Sequence, residues 1–310
     1  MPRIAVVVPV YQAERMLGDL VAELVPRLSS LTEDFEVWLV DDGSTDESWR
    51  EIGRAAAADP RVRGIRLIRN FGEHVAISAG IDRADADYVV IMACDLQDDP
   101  AAIPALIAEA DAGADLVLVR RMNRRDAWMK RALARLFYAL ISLLFHVHYD
   151  YRVGNYRLLT RQAAAYFRQH RERMRNVNAI MALMQVRTAY VDVPHRPRRH
   201  GRSTYTLGRS TRMALSVIVG YSDIPLLVSG AFGVVLVAVA VLWGLWLAVA
   251  RPPGGAGLSG VVALVAGIGG LVLINLGIVG AYLGRAAREA KDRPMYFVSD
   301  SCNAPPDAGA

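Results

Sequence analysis

The chain has 310 residues, 53% of them hydrophobic, and a formal net charge of +5. That length holds one large globular domain and an additional apolar part. Cys94 and Cys302, the only cysteines, have neither metal-ligand spacing nor a disulfide framework, and the basic residues gather beside apolar segments without a nucleic-acid motif. These features argue against a disulfide scaffold, a cysteine metal site and a nucleic-acid binder, and they fit a reducing compartment with anionic lipid or a phosphorylated substrate as partner.

Ile4–Val8 is a short apolar run stopped at Pro9 and followed by Tyr11 and Glu14, which predicts a strand, a loop and a helix through Leu28. The run is too short and lacks a cleavage site for a signal peptide, so the first 220 residues are expected to stay on the cytoplasmic side. Glu36–Val40 predicts a second strand, leading into Asp41-Asp42-Gly43-Ser44-Thr45-Asp46, where Ser44, Thr45 or Asp46 is the candidate cap of the next helix. Arg63–Ile68 predicts a third strand, Asn70-Phe71-Gly72 its turn, and Glu73–Ala84 a helix.

Tyr88–Pro100, YVVIMACDLQDDP, is the stretch on which the chain is organised. A β-branched run that stops at a cluster of acids reads as a strand buried on both faces, with carboxylates where open α/β sheets bind ligands. Carboxylates this close stay ionised together when a cation joins them, and oxygen ligands favour Mg²⁺ or Mn²⁺. Asp95 and the amide oxygen of Gln97 lie on the same side if the backbone stays extended. The competing reading is a strand and turn, with Asp98 or Asp99 capping a helix that Pro100 opens.

Four strand and helix repeats at intervals of roughly 25 to 30 residues predict an α/β fold, a mainly parallel sheet with helices on both faces. Neither a G-x-G-x-x-G nor a P-loop pattern follows the first strand, so phosphate chemistry must rest on acids with a metal and on arginines. Asp115–Val119 predicts a fifth strand running into Arg120, Arg121, Arg124 and Arg125. Those arginines form either a solvated face or a clamp for a diphosphate or lipid phosphate. Trp128–Val147 reads as a helix lying in the membrane interface or as a core helix. Gly154-Asn155-Tyr156-Arg157 and a strand-like Ala189–Val193 follow, then His195–Arg212, with six arginines and no acid, as a phosphate-seeking loop.

Ile224–Ala250 and Leu258–Gly284 each run 27 residues without a charge, long enough to span a bilayer, with two buried core helices as the alternative. Arg209 and Arg212 precede the pair, and Arg285, Arg288, Lys291 and Arg293 follow it, which predicts cytoplasmic flanks and an external loop. The expected organisation is a cytoplasmic catalytic domain over 1–206, a juxtamembrane segment over 207–223, spans over 224–250 and 258–284, and a tail over 285–310. The tail is expected to begin helical, break at Arg293-Pro294 and end in ten disordered residues.

With these pieces in order the chain resembles the family-2 inverting glycosyltransferases of GT-A fold, in particular the membrane-anchored polyprenyl-phosphate group that includes dolichyl-phosphate mannose synthase. The resemblance rests on VVVPVYQAE at 6–14, VDDGSTD at 40–46, RNFGEHVAISAG at 69–80, CDLQDDP at 94–100, VGNYRLL at 153–159 and RRHGRSTY at 198–205. It implies a UDP- or GDP-sugar donor, a polyprenyl phosphate acceptor, Mg²⁺ or Mn²⁺, and a bacterial-type inner membrane location, with a homo-oligomer through the membrane helices left open. It also implies nucleotide binding by Pro9, Tyr11, Glu14, Asp41, Asp42 and Asn70, and metal binding by Asp95 and Gln97. Catalysis would fall to Asp95, Asp98, Arg121 and Arg124, and the acceptor phosphate to Lys130, Arg198, Ser203 and Tyr205. Three departures stand out: Ala93 occupies the place of the first acid in Asp-x-Asp-Leu-Gln, Gln12-Ala13 that of Asn-Glu, and Thr204 that of a Lys. Ala93 keeps a catalytically silent scaffold in play, while a polysaccharide synthase normally carries a Gln-x-x-Arg-Trp motif that is absent here.

Overall fold

The computed structural model describes residues 2–122, 153–170, 177–194, 224–250, 258–291 and 294–304. They fall into two compact units, one from Met1–Thr204 with Pro294–Ala310, the other Tyr205–Arg293.

The first unit is built on strands β1 (Ile4–Val10), β2 (Phe35–Asp41), β3 (Val62–Leu67), β4 (Tyr88–Ile91), β5 (Leu116–Met122), β6 (Val153–Thr160), β7 (Thr188–Pro194) and β8 (Val298–Cys302). They form a single sheet in the order β7-β5-β6-β4-β1-β2-β3-β8. Its described helices are α1 (Leu17–Ser29), α2 (Ser48–Ala58), α3 (Glu73–Arg83), α4 (Ile103–Asp111), α5 (Arg161–Gln169) and α6 (Val177–Leu183).

Strand β1 shows why the sequence folds this way. All seven of its residues are buried, because the alternating side chains enter two different cores. Ile4, Val6, Val8 and Val10 meet the Leu17, Leu20, Leu24 and Leu28 stripe of α1, whose spacing of three and four residues keeps it on one helix face. Ala5 and Val7 join Ala76 and Ile77 of α3 on the other side. Gly80 lets α3 close onto β1, since a Cβ there would collide with the Val7 side chain.

The pairings β1 with β2, β1 with β4, β2 with β3 and β5 with β7 are parallel; β4 with β6, β5 with β6 and β3 with β8 are antiparallel. Four of these seven pairings are parallel, so the sheet is mixed with the parallel pairing expected from the sequence predominating. The Gly154–Arg157 stretch lies in β6, inserted between β4 and β5. Strand β5 continues past the expected Val119 to Met122, so Arg120 and Arg121 belong to it. Arg120 pairs with Asp192 of β7 at 2.8 Å and lies 5.0 Å over the Tyr190 ring.

The tail differs most from expectation. Ser301 and Cys302, placed in a disordered end by sequence, lie in β8 along the edge of β3. The neighbouring side chains fasten the strand as well: Trp49 Nε1 donates to Asp300 at 3.1 Å, and Asn303 Nδ2 to the carbonyls of Ala56 and Val62 at 2.6 and 3.0 Å. Tyr296 donates to Asp82 at 3.1 Å and accepts from Arg83 at 3.0 Å.

The second unit contains α7 (Ile224–Ala250) and α8 (Leu258–Glu289). At 1.5 Å per residue each exceeds the ~30 Å hydrocarbon core of a bilayer. The apolar windows Leu226–Trp243 and Gly267–Gly284 have no buried residues. A soluble core would cover side chains such as Leu227, Val234, Leu273 and Leu283, which are all at least two-thirds exposed. Their outward display fits membrane association and speaks against the core-helix alternative. Trp128–Val147 and His195–Arg212 lie outside the described residues, as do Arg124, Lys130, Arg198, Ser203, Thr204 and Tyr205.

Candidate active site

The carboxyl ends of β4, β1 and β2 are neighbours, with β1 in the middle, and most of the described candidate residues sit there. Pro9 is the buried penultimate residue of β1, in register with Val40. Tyr11, just beyond it, is 46% exposed. Gln12 then turns at φ 50°, a left-handed conformation that Asn adopts more readily, which gives a physical reason for the Asn common at this point of the resembled motif. The loop is fixed to the start of α2: Gln12 and Ala13 N–H donate to Ser44 Oγ and Ser48 Oγ at 3.0 and 2.9 Å. Glu14 accepts the Glu47 N–H at 3.1 Å, while Asp46 accepts the Ser48 N–H at 3.1 Å. Asp46 is thus the candidate cap that reaches the helix start.

Asp41 and Asp42 end β2 facing different partners. Asp41 is fully buried; its Oδ1 accepts the Ser44 N–H at 2.9 Å, and its Oδ2 takes no hydrogen bond. Arg66, which the sequence reading did not single out, approaches that free oxygen to 3.3 Å and donates to the Ser44 carbonyl at 3.1 Å. Only the pairing of β3 with β2, which sets Arg66 opposite Asp41, makes this arginine legible. Asp42 accepts the N–H groups of Phe71 at 2.7 Å and Gly72 at 2.8 Å, tying the end of β2 to the turn before α3. Burial pushes its carboxyl up while those two donors pull it back. Gly43 follows at φ 65°, where a Cβ would run into the backbone of Arg69 and Asn70; Asn70 itself is exposed.

The acidic turn does not stay extended. Strand β4 stops at Ile91, and Leu96 adopts φ 61° while buried at 2% in the core. Asp95 and Gln97 are brought together differently: the Gln97 N–H donates to Asp95 Oδ1 at 3.2 Å. Asp98 is buried and accepts the Ala93 N–H at 2.9 Å, closing the turn, while Asp99 Oδ1 accepts the Ala101 N–H at the helical turn Pro100–Ala102. The Cys94 thiol is pushed up to about 12, first by burial and then by Asp95, and the Tyr11 N–H reaches its sulfur. The thiol therefore stays protonated at neutral pH, and the acidic turn and the Tyr11 loop form one surface.

The model of Glycosyl transferase family 2 matches residues 5–200. The chain belongs to that family. This glycosyltransferase is 31% identical to an undecaprenyl-phosphate 4-deoxy-4-formamido-L-arabinose transferase from Proteus mirabilis, over 96% of this chain and 93% of the relative. It is likewise 31% identical to a prophage bactoprenol glucosyl transferase homolog from Escherichia coli, over 96% of this chain and 98% of the relative. Its fold is similar to that of glucosyl-3-phosphoglycerate synthase from Mycobacterium tuberculosis, crystallised with Mn²⁺ and UDP-glucose, at TM-score 0.50 and 18% identity over 70% of this chain and 77% of that one. The GT-A-like architecture expected from the sequence is thereby shown.

Among the described residues of the glycosyltransferase, no group of three His, Cys, Asp or Glu is placed to hold a metal. Asp95 and Gln97 offer two hard oxygen donors, half-buried, which suits a cation that takes its remaining ligands from substrate phosphates and water. Glu73, at the start of α3, accepts from Asn155 of β6 at 2.6 Å, joining the two elements that flank this turn.

His74 is a further group that sequence reasoning missed. Its Nδ1 is sealed from solvent without a hydrogen-bond partner, and burial, aided by the buried Arg157 guanidinium, lowers its pKa from 6.5 to about 4. Folded enzyme therefore resists a proton that the unfolded chain accepts below about pH 6.5. Stability is expected to be level above that pH and to fall by up to about 3 kcal/mol as pH drops to 4. Thermal unfolding of wild type and His74→Gln between pH 7.5 and 4 checks this: the variant should lose part of the acid sensitivity, and identical pH profiles would count against the assignment.

Proposed function

We propose that the enzyme moves one sugar from a UDP- or GDP-sugar to polyprenyl phosphate at the cytoplasmic membrane face, with a divalent cation and inversion at the anomeric carbon. One observation carries this reading. The exposed Tyr11, the buried Asp41 with Arg66 beside it and the Asp95–Gln97 turn lie at the carboxyl ends of adjacent strands, in a chain that also has two bilayer-length apolar helices. The acceptor class is supported by the activities for which the Proteus mirabilis and Escherichia coli relatives are named.

In this reading Tyr11 offers a face for the base, Asp41 and Arg66 form part of the wall of the nucleotide site, and Pro9, Glu14 and Asn70 shape it. Asp42 and Asp98 act through the turns they close rather than by touching the reacting atoms. Asp95 and Gln97 hold Mg²⁺ or Mn²⁺, which when bound compensates the charge that develops on the departing diphosphate. The acceptor phosphate is largely dianionic at neutral pH, since its second pKa is about 6. It needs placement and charge compensation more than a base, and Arg121, Arg124, Lys130, Arg198, Ser203 and Tyr205 are assigned to that task. A single in-line displacement inverts the anomeric configuration. The arginines flanking both helices favour cytoplasmic termini.

The test is release of nucleoside diphosphate by the purified full chain from a panel of UDP- and GDP-sugars, with and without polyprenyl phosphate. The expected result is one preferred donor, turnover that requires the lipid, and loss of turnover with EDTA. Silence towards every donor would favour the scaffold reading, and lipid-independent turnover would exclude this acceptor.

A further inference from the structure

The tail strand meets β3 at the residue that serves the donor end of the site. Arg66 is in register with Asp300, and the pairing shifts between Arg66 and Leu67, so β8 shapes the backbone at this arginine. Ser299 Oγ donates to the Arg66 carbonyl at 3.2 Å, and the N–H of Ile68, just beyond β3, donates to the Phe297 carbonyl at 3.1 Å. Asp300, accepting from Trp49 of α2, fastens the other side of the strand. From this clamped backbone the Arg66 side chain reaches the Ser44 carbonyl and stands 3.3 Å from Asp41 Oδ2.

We infer that β8 is a positioning strand for nucleotide binding: it holds Arg66 against the buried Asp41 and so keeps that carboxylate aimed. The inference rests on Asp41 serving the donor nucleotide, as proposed above. Without β8, β3 becomes the edge of the sheet, and strand edges open most readily at their ends, here the end that carries Arg66. Loss of Arg66 leaves the buried Asp41 without its cation, which favours displacement of that side chain. A residue near the carboxyl terminus of the chain thus controls affinity at the opposite end of the sequence, without touching the acceptor or the acidic turn.

The experiment compares the full chain with one ending at Pro294, measuring UDP and GDP binding with Mn²⁺ by calorimetry, donor and acceptor KM, and thermal unfolding. Truncation is expected to weaken nucleotide binding and raise the donor KM at least tenfold, with kcat at saturating donor and the acceptor KM within about twofold. A peptide of residues 294–304 added in trans should restore binding. If the truncated chain does not fold, Ser299→Ala combined with Asp300→Ala keeps the strand backbone and should weaken binding three- to tenfold. Folded truncated or doubly substituted protein that binds nucleotide as tightly as wild type overturns the inference and leaves β8 a stabilising edge alone. An intact chain that binds neither UDP nor GDP refutes the donor-site reading instead, and the inference with it.

Discussion

Asp95→Asn is expected to lower turnover by about 10²- to 10³-fold, the scale set by removing one well-aimed charge or donor from a transition state. The substitution is nearly isosteric, and the Asn side-chain oxygen can still accept the Gln97 N–H that Asp95 Oδ1 accepts at 3.2 Å. The turn should therefore persist, and the loss should report the missing charge rather than a collapsed loop. A second signature follows from the proposed metal site: if Asp95 and Gln97 hold the cation, the variant should need a higher Mn²⁺ concentration for half-maximal rate. Initial rates across a Mn²⁺ titration read both effects. Near wild-type turnover at low Mn²⁺ would remove Asp95 from the metal site.

Asp42→Ala should have the largest effect on stability, about 3 kcal/mol. It leaves the Phe71 and Gly72 N–H groups without the acceptors that now lie 2.7 and 2.8 Å away, and each hydrogen bond to a charged group contributes about 1.5 to 3 kcal/mol. Relief of the buried charge, whose pKa burial raises, offsets part of that loss. The turn it releases carries Asn70 and abuts Gly43, so nucleotide binding should weaken together with the fall in unfolding temperature. Calorimetry on the full chain separates the outcomes: an unchanged unfolding temperature would show that these two bonds do not hold the turn.

What was legible in the sequence is what one strand dictates by itself. IAVVVPV, EVWLV and YVVI are apolar runs cut off by Pro9, by Asp41 and Asp42, and by the acidic turn, so their place in a sheet and the chemistry at their ends could be read locally. The unread parts depend on partners. VSDSC has only Val298 and Cys302 as apolar residues, and becomes a strand because β3 offers an unpaired edge. Arg66 and Asp41, or Arg120 and Asp192, meet only through strand register. The extended path on which Asp95 and Gln97 would share a side is interrupted by Leu96, which is buried and takes a left-handed backbone. Ala93, the departure most damaging to an Asp-x-Asp reading, contributes its N–H to Asp98, so the turn is closed without a side chain at that position.

A single, cation-dependent sugar transfer onto polyprenyl phosphate is read out by the mass of the lipid recovered after the purified chain is incubated with polyprenyl phosphate, Mn²⁺ and its preferred UDP- or GDP-sugar. The expected product is a lipid heavier by one sugar residue, with no heavier species, and none at all when EDTA is present. Unmodified lipid with every donor, or a ladder of several sugars on one lipid, would contradict it.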